Sequence, residues 1–365
     1  MKIRAVLAAT AVTSAAVLAA ASGAAASADR AGPGHAAPGA AWRVVKTVRA
    51  ASMPQFQSLA VTSATSAWAF AQTSGTSAAW RLQGGTWSQA PFPGRAGGQV
   101  LAAGASAADN VWAFESLPQG SGRALRWDGT RWTVARQFTK VIMGGLVLGP
   151  RDVWVFGSPS VPGNGLGTWH YNGSSWTRFP AAGGLTTASA LSPSSIWAVG
   201  GTSAAHWNGS RWTLTSLAGL LPPDTLRCHP VLTAIYAASA TSVWAAGAGM
   251  CDTVHFGRHP FVLLHFNGTS WQRVTLINTY GEPFQVIPDG SGGLWIPVLT
   301  GFPGTFTLLH RSAGGSLQPA PLPEPGSSFR MSVARVPGSA VAFGAGALYN
   351  TAGVSVEGLI LKYGS

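Results

Sequence analysis

Charged side chains and cysteines are scarce in this chain, and their scarcity narrows the class of protein. Only 9% of the 365 residues are Asp, Glu, Lys or Arg, and two are cysteines. Long amphipathic helical patterns are missing, and after the N-terminal segment Gly, Pro, Ser or a charge interrupts every apolar run, so no membrane span is expected. No Ser-His-Asp order, phosphate-binding loop or close carboxylate pair stands out. Abundant Gly, Ala, Ser and Thr instead favour an all-β protein with many short strands.

The first residues have the pattern of a secretory signal peptide. Lys2 and Arg4 precede an apolar run that ends in the small residues Ala26-Ser27-Ala28, which predicts cleavage after Ala28. Residues 29–40 are rich in Gly, Ala and Pro and are expected to form a disordered leader. The mature protein is therefore predicted to be secreted. The formal net charge of +12 suggests anionic surroundings.

One tryptophan-centred phrase repeats along the chain. It reads "SAWAFA", "NVWAFE", "DVWVFG", "SIWAVG", "SVWAAG" and "GLWIPV". A seventh phrase, "SAVAFG", has Val341 at the position that tryptophan occupies in the others, here called the tryptophan column. The first six phrases are centred on Trp68, Trp112, Trp154, Trp197, Trp244 and Trp295. Periods of forty to fifty residues that contain several short strands are typical of β-propeller blades. The sequence therefore predicts a seven-bladed β-propeller over residues 41–365, as one domain.

A second phrase, such as "HWNGSRWTL" at 206–214, alternates with the first and indicates a hairpin. Asn-Gly favours a type I′ turn, in which two consecutive residues have positive φ, and aromatic residues flank the turn. Asn172, Asn208 and Asn267 also match the N-glycosylation pattern. The turn explains each Asn-Gly pair without a glycan, and we expect turns there.

Each repeat is expected to contain four strands, named a to d from the centre of the ring outwards. Strand a is small and apolar, strand b holds the tryptophan phrase, and the hairpin joins strands c and d. Large side chains in b and d should fill the wide space between blades. The last repeat ends without a strand d, whereas "AAWRVVKTV" at 41–49 resembles one. We therefore expect 41–49 to pair with 357–363 and close the ring.

The alternation of "W-A-V-G" with "W-N-G-S-R-W" resembles repeats of exported bacterial β-propellers, which are distantly similar to Kelch and galactose-oxidase central domains. The resemblance covers residues 41–365 and implies a propeller fold. It implies no single activity, because propellers serve as enzymes, lectins and scaffolds. Two departures are the lack of a regular Gly-Gly doublet and the segment "RSAGGSL" in place of the sixth hairpin.

Several histidines and arginines have structural explanations. His170, His206, His265 and His310 share one column with Arg81, Arg126 and Lys362. Side chains spaced around a ring in this way cannot converge on one metal ion. The arginines on or beside strand d are expected to form a solvated rim that protects exposed edges; they are Arg43, Arg131, Arg136, Arg178, Arg211 and Arg273.

Blade five departs most from the repeat. Its d-to-a entry at 222–230 and its b-to-c loop at 248–260 are long, and they contain both cysteines. The two loops should emerge on one face, and an exported protein meets oxidising conditions, so a Cys228–Cys251 disulfide is predicted. The tentative ligand-binding residues, as hydrogen-bond donors or acceptors, are Arg227, His229, Asp252, His255, Arg258, His259 and Tyr349.

Two classes of function remain open from sequence. The first is a non-enzymatic binding or scaffold propeller that recognises a glycan, an anionic wall polymer or a protein through its loop face. The second is a hydrolase, lyase or metal-dependent enzyme that uses the His/Asp cluster of blade five. No catalytic residue, metal or cofactor is assigned. The expected state is a monomer without a nucleic-acid partner.

Overall fold

The structure is a computed structural model that describes residues 41–49, 54–157, 165–179, 184–251, 259–276, 279–301, 305–323, 328–349 and 355–365. The predicted signal peptide and leader lie outside these ranges. In the described part, no helix is long and apolar enough to cross a membrane.

The described chain forms antiparallel sheets that correspond to seven blades. The first strand is β1 (Trp42–Val48). Blade one contains β2 (Gln55–Ser63), β3 (Ser66–Thr73), β4 (Thr76–Gln83) and β5 (Thr86–Ala90). Blade two contains β6 (Gln99–Ala107), β7 (Asn110–Leu117), β8 (Ser121–Trp127) and β9 (Trp132–Phe138). Blade three contains β10 (Gly144–Gly149), β11 (Asp152–Gly157), β12 (Gly167–Tyr171) and β13 (Trp176–Phe179).

The remaining blades follow the same order. Blade four contains β14 (Thr187–Ser192), β15 (Ser195–Gly200), β16 (Ser203–Trp207) and β17 (Trp212–Ser216). Blade five contains β18 (Cys228–Ser239), β19 (Ser242–Cys251), β20 (Phe261–Phe266) and β21 (Trp271–Arg273). Blade six contains β22 (Glu282–Pro283), β23 (Ile287–Pro288), β24 (Leu294–Gly301), β25 (Thr305–Arg311) and β26 (Leu317–Pro319). Blade seven contains β27 (Ser328–Arg335), β28 (Ala342–Tyr349) and β29 (Ser355–Tyr363).

The N-terminal strand completes the last blade, which confirms the predicted closure. Blade seven has the strand order β1-β29-β28-β27. The register runs from Trp42 opposite Tyr363 to Val48 opposite Gly358. Strand β27 also contacts β2 of blade one. The first and last blades are therefore joined in a closed ring.

Hydrophobic clusters lie between neighbouring blades, where the tryptophans of strands b and d were expected. Trp68 of blade one lies 5.1 Å from Trp127 of blade two, between ring centroids. Trp154 of blade three lies 5.2 Å from Trp207 of blade four. A small residue of strand a is required at one such boundary: a Cβ added to Gly145 of blade three would come within 2.1 Å of the Phe114 ring of blade two. Each blade is thus packed by its neighbour.

The basic column of strand c stacks on the tryptophan column of strand b. His170, His206, His265 and His310 are each paired across strands with a tryptophan, at centroid distances of 4.1 to 4.3 Å. These histidines also hydrogen-bond to Asp152, Ser195, Ser242 and Asp289, respectively, near the a-to-b turns. In blade seven the partner of Lys362 is Phe343, whereas the sequence alignment placed Val341 in that column.

The predicted type I′ geometry is wrong for the Asn-Gly hairpins. In "HWNGSRWTL" Gly209 has positive φ, but Asn208 is absent from the described non-glycine residues with positive φ, which are Ser74 and Gln119. The side-chain Oδ1 of Asn208 instead accepts bonds from the backbone N–H groups of Ser210 and Arg211, at 3.0 Å each. Four residues therefore separate Trp207 from its partner Trp212. The asparagine serves as an Asx-turn acceptor rather than as a residue with left-handed backbone.

A buried ion pair within blade two is hydrogen-bonded to blade one. Glu115 is 0% exposed and Arg123 is 3% exposed, and Arg123 Nε donates to Glu115 Oε2 at 2.6 Å. The Ser77 hydroxyl of blade one donates to the other carboxylate oxygen. Arg123 Nη2 donates to the Pro93 carbonyl at 2.8 Å. The carboxylate is well satisfied, so its role in the fold is to hold the two blades together.

Candidate functional site on the loop face

The loop face is the face of the ring that carries the d-to-a and b-to-c loops. In blade five, β18 and β19 continue into it beyond the usual strand length, up to the pair Cys228 opposite Cys251. Directly opposed residues of antiparallel strands have Cα atoms about 4.5–5.5 Å apart, within the range that a disulfide spans. The register therefore brings the chain's two cysteines together, as the blade geometry predicted.

Residues 224–228, named here the blade-five turn, form a compact turn ahead of β18. The Thr225 hydroxyl accepts bonds from the backbone N–H groups of Arg227 and Cys228, at 3.3 and 3.0 Å. The Thr225 N–H donates to the Cys228 carbonyl at 2.9 Å. These bonds leave Leu226 fully exposed at the tip. The turn therefore presents the Leu226 side chain to solvent, where a ligand can contact it.

The predicted donors His229 and Arg227 lie at this turn. His229 Nδ1 bonds to Asp224 Oδ1 at 2.7 Å, and both side chains are mostly exposed. Such an exposed pair contributes little to stability, so its imidazole and carboxylate are available for hydrogen bonding to a ligand. Asp252, His255 and Arg258 lie outside the described residues, and their predicted role is not tested.

His259 is placed differently from the other predicted donors. It is 2% exposed, and its Nδ1 contacts the Glu282 carboxylate of blade six. Its backbone carbonyl accepts from the N–H of Gly281 at 2.8 Å. Our expectation that His259 faces a ligand does not agree with this burial. Its contacts instead fix the connection between blades five and six.

Apolar and aromatic residues also lie on the loop face beside the blade-five turn. A Cβ added to Gly249 would lie 3.6 Å from Pro222, and the N–H of Gly249 donates to the Pro260 carbonyl at 3.1 Å. Pro260 forms a bridge with Tyr280, which is 46% exposed. These contacts connect the entry of blade five to the entry of blade six.

Three further aromatic rings contact one another across blades six and seven. The Phe284 and Phe306 rings lie 6.4 Å apart, and the Phe306 and Tyr349 rings lie 5.8 Å apart. All three side chains are half-buried. Tyr349 was predicted from sequence, whereas Leu226, Tyr280, Phe284 and Phe306 were not. We name Leu226 and the four aromatic residues the loop-face band.

The described part of the chain contains no cluster of metal-ligating side chains. No group of three or more His, Cys, Asp or Glu side chains there is placed to hold an ion. Burial lowers the pKa of His206, and burial together with the charge of Arg311 lowers that of His265. These neutral, stacked rings belong to the blade packing.

Comparison with known proteins identifies the fold without a family. No family model and no curated protein matches the chain. The structure of YCF48 bound to D1 peptide has a TM-score of 0.57 at 14% identity, over 89% of this chain and 97% of that one. The WD40 β-propeller domain of Doa1 has a TM-score of 0.58 at 9% identity, over 88% and 97% of the two chains.

An enzyme has a similar fold. A catalytically inactive virginiamycin B lyase from Staphylococcus aureus, with quinupristin, has a TM-score of 0.57 at 10% identity, over 89% of this chain and 100% of that one. At such identities these likenesses show the propeller fold alone. The chain is a seven-bladed β-propeller, a fold that by itself implies no single function.

Proposed function

We propose that this protein is an exported binding module that holds a polypeptide ligand on the loop face of blades five to seven. The observation that carries this proposal is the loop-face band, which combines the fully exposed Leu226, the half-exposed Tyr280 and the contacting rings of Phe284, Phe306 and Tyr349. Aromatic and aliphatic groups of this kind form the anchors of protein interfaces. Export is supported by the N-terminal sequence pattern.

The chemistry of the band favours a polypeptide over a neutral glycan. Leu226 presents a bare aliphatic side chain, which has no polar atom to offer sugar hydroxyls. Apolar side chains of a peptide would bury against Leu226 and Tyr280, and the hydrogen-bonded His229 and Asp224 side chains offer polar contacts. The similar propeller YCF48 is described as bound to a peptide, which agrees with this choice.

The proposed Cys228–Cys251 disulfide would fix the blade-five turn before the ligand binds. It closes a loop with 22 intervening residues, which corresponds to about 3 kcal/mol in the chain-entropy model. A fixed turn loses less conformational entropy when a partner orders it. We therefore assign the bridge to pre-organisation of Leu226.

Selection from a displayed peptide library against the purified protein tests this function. Peptides that bind should lose about tenfold or more in affinity to Leu226→Ser and Tyr349→Ser variants, as expected for anchors worth more than 1 kcal/mol. Leu214→Ser is the matched control, because Leu214 is 46% exposed on the outer strand β17. Failure to select any peptide, or equal weakening by the control, would contradict the proposal.

A further inference from the structure

A second surface, at the outer seam between blades two and three, contains a cationic groove of about 380 Å³. We name it the blade-two groove. Its walls include Arg136, Lys140 and Arg178, together with Phe138 and Trp169. No carboxylate is among its lining residues. Three positive charges therefore face one small cavity without a compensating acid.

Arg136 departs from the solvated rim expected of strand d. In β9, Arg136 pairs with Ala124 and Val134 pairs with Leu125, so Ala135 is bulged out of the ladder. The bulge turns the half-buried Arg136 over the Trp169 ring, at 4.3 Å from guanidinium carbon to centroid. The Nε of Arg136 is buried without a hydrogen-bond partner among the described residues. The fold thus holds a cation at the groove and leaves one of its donors unused.

The same arrangement occurs at one other seam, between blades seven and one. There β1 has its own bulge at Val45, which is followed by Lys46, and the groove is lined by Lys46, Arg49 and Trp80. Trp80 and Trp169 both stand directly before the basic residue of strand c. The other blades have Leu or Ala at this position: Leu125, Ala205, Leu264, Leu309 and Leu361.

The repeat therefore couples a strand-c tryptophan to a bulged basic residue on the preceding blade. Blade packing does not require this pair, since the remaining blades pack without it. The two grooves differ in charge balance, because Arg49 is ion-paired with Glu357 at 2.6 Å. The blade-two groove has no such partner acid in its lining, and it is the more cationic of the two.

We propose that the blade-two groove binds a phosphate monoester carried by a sugar. Guanidinium groups recognise phosphate oxygens with paired N–H donors, and an ammonium group adds a point charge. The cavity lies near the lower end of the volumes that small ligands occupy, so it suits one sugar-sized unit rather than a folded partner. The apolar walls formed by Phe138 and Trp169 would contact the carbon framework next to the phosphate.

Titration calorimetry with a glucose phosphate monoester, glucose and inorganic phosphate tests the site on the full protein. The phosphate ester should bind more tightly than inorganic phosphate, and glucose should not bind. Equal binding of ester and inorganic phosphate, or no binding of the ester, would overturn the proposal.

A pair of double variants separates a local site from general charge attraction. Lys140→Gln with Arg178→Gln removes two groove cations and spares Arg136, whose stacking contributes to packing. Loss of two charged hydrogen bonds should weaken the ester by about tenfold or more. Arg211→Gln with Arg273→Gln removes the same charge from exposed outer-rim positions of other blades and should change affinity less than about twofold. Equal effects of the two double variants would overturn the assignment to this groove.

Discussion

Replacement of Trp42 by alanine should destabilise the ring at its closure. Trp42 is 5% exposed, and its ring lies 5.7 Å from Trp295 of blade six and 5.4 Å from Tyr363 of its own blade. Truncation of a buried Trp to Ala costs about 3–5 kcal/mol. The indole Nε1 has no hydrogen-bond partner among the described residues, so the substitution leaves no polar partner unsatisfied and the loss measures packing.

Urea unfolding followed by circular dichroism measures this loss without depending on tryptophan emission. Val45→Ala is the control on the same strand, because Val45 is 37% exposed at the bulge, and it should change stability by less than about 0.5 kcal/mol. Trp42→Phe should be intermediate, since an aromatic ring remains against Tyr363. Equal stability of Trp42→Ala and Val45→Ala would refute the closure energetics. By the same reasoning, deletion of 29–50 should lower the melting temperature sharply, whereas deletion of 29–39 should not.

Four further predictions follow from other parts of the molecule. Glu115→Ala should lower the free energy of unfolding by about 3–5 kcal/mol, because it leaves Arg123 buried and unpaired. Arg49→Ala removes an exposed pair and should lower it by less than about 1 kcal/mol. Urea denaturation measures both losses. Hydrogen bonds from the Thr130 side chain, and then from the Arg131 and Thr130 backbone, lower the pKa of Asp128 to about 2. The turn at Asp128 should therefore be fully stabilised above the unfolded pKa of 3.8 and lose that stabilisation as the pH falls through about 2. A carboxyl NMR titration would detect this pKa. Burial lowers the pKa of His206 and His265 below the ordinary value of 6.5, so the stability that these rings contribute should be fully present above that pH and decrease as the pH falls below it. The His206→Gln, His265→Gln double variant should flatten that dependence in urea titrations. Non-reducing peptide mapping should recover Cys228 linked to Cys251, and two free thiols would contradict the disulfide.

The fold could be predicted from sequence because its signals are periodic. Each tryptophan anchor, such as Trp68 or Trp154, lies at the same point of a blade, so one repeat explains all of them. The matching ends of the chain likewise indicated that 41–49 completes the last blade. The sequence placed the turn at Asn208 correctly but predicted the wrong backbone conformation for it. Asn-Gly is compatible with both a type I′ turn and an Asx turn. Only the side-chain hydrogen bonds distinguish them.

The candidate sites were less accessible to sequence because they depend on contacts between blades. Tyr280, Phe284 and Phe306 belong to no motif, and Phe306 contacts Tyr349 only because blades six and seven meet. Arg136 was assigned to the solvated rim because it lies on strand d, the outermost strand of a blade. Its position over Trp169 results from a bulge of one residue, which the repeat pattern does not reveal.

Photo-cross-linking with a selected peptide tests the proposed binding face most directly. A benzophenone amino acid is placed at Leu226, at Tyr280 and, as the control, at Leu214, and each protein is irradiated with the same peptide. We predict cross-links from Leu226 and Tyr280 and none above background from Leu214. Cross-links confined to Leu214, or equal at all three positions, would contradict recognition through the loop face of blades five to seven.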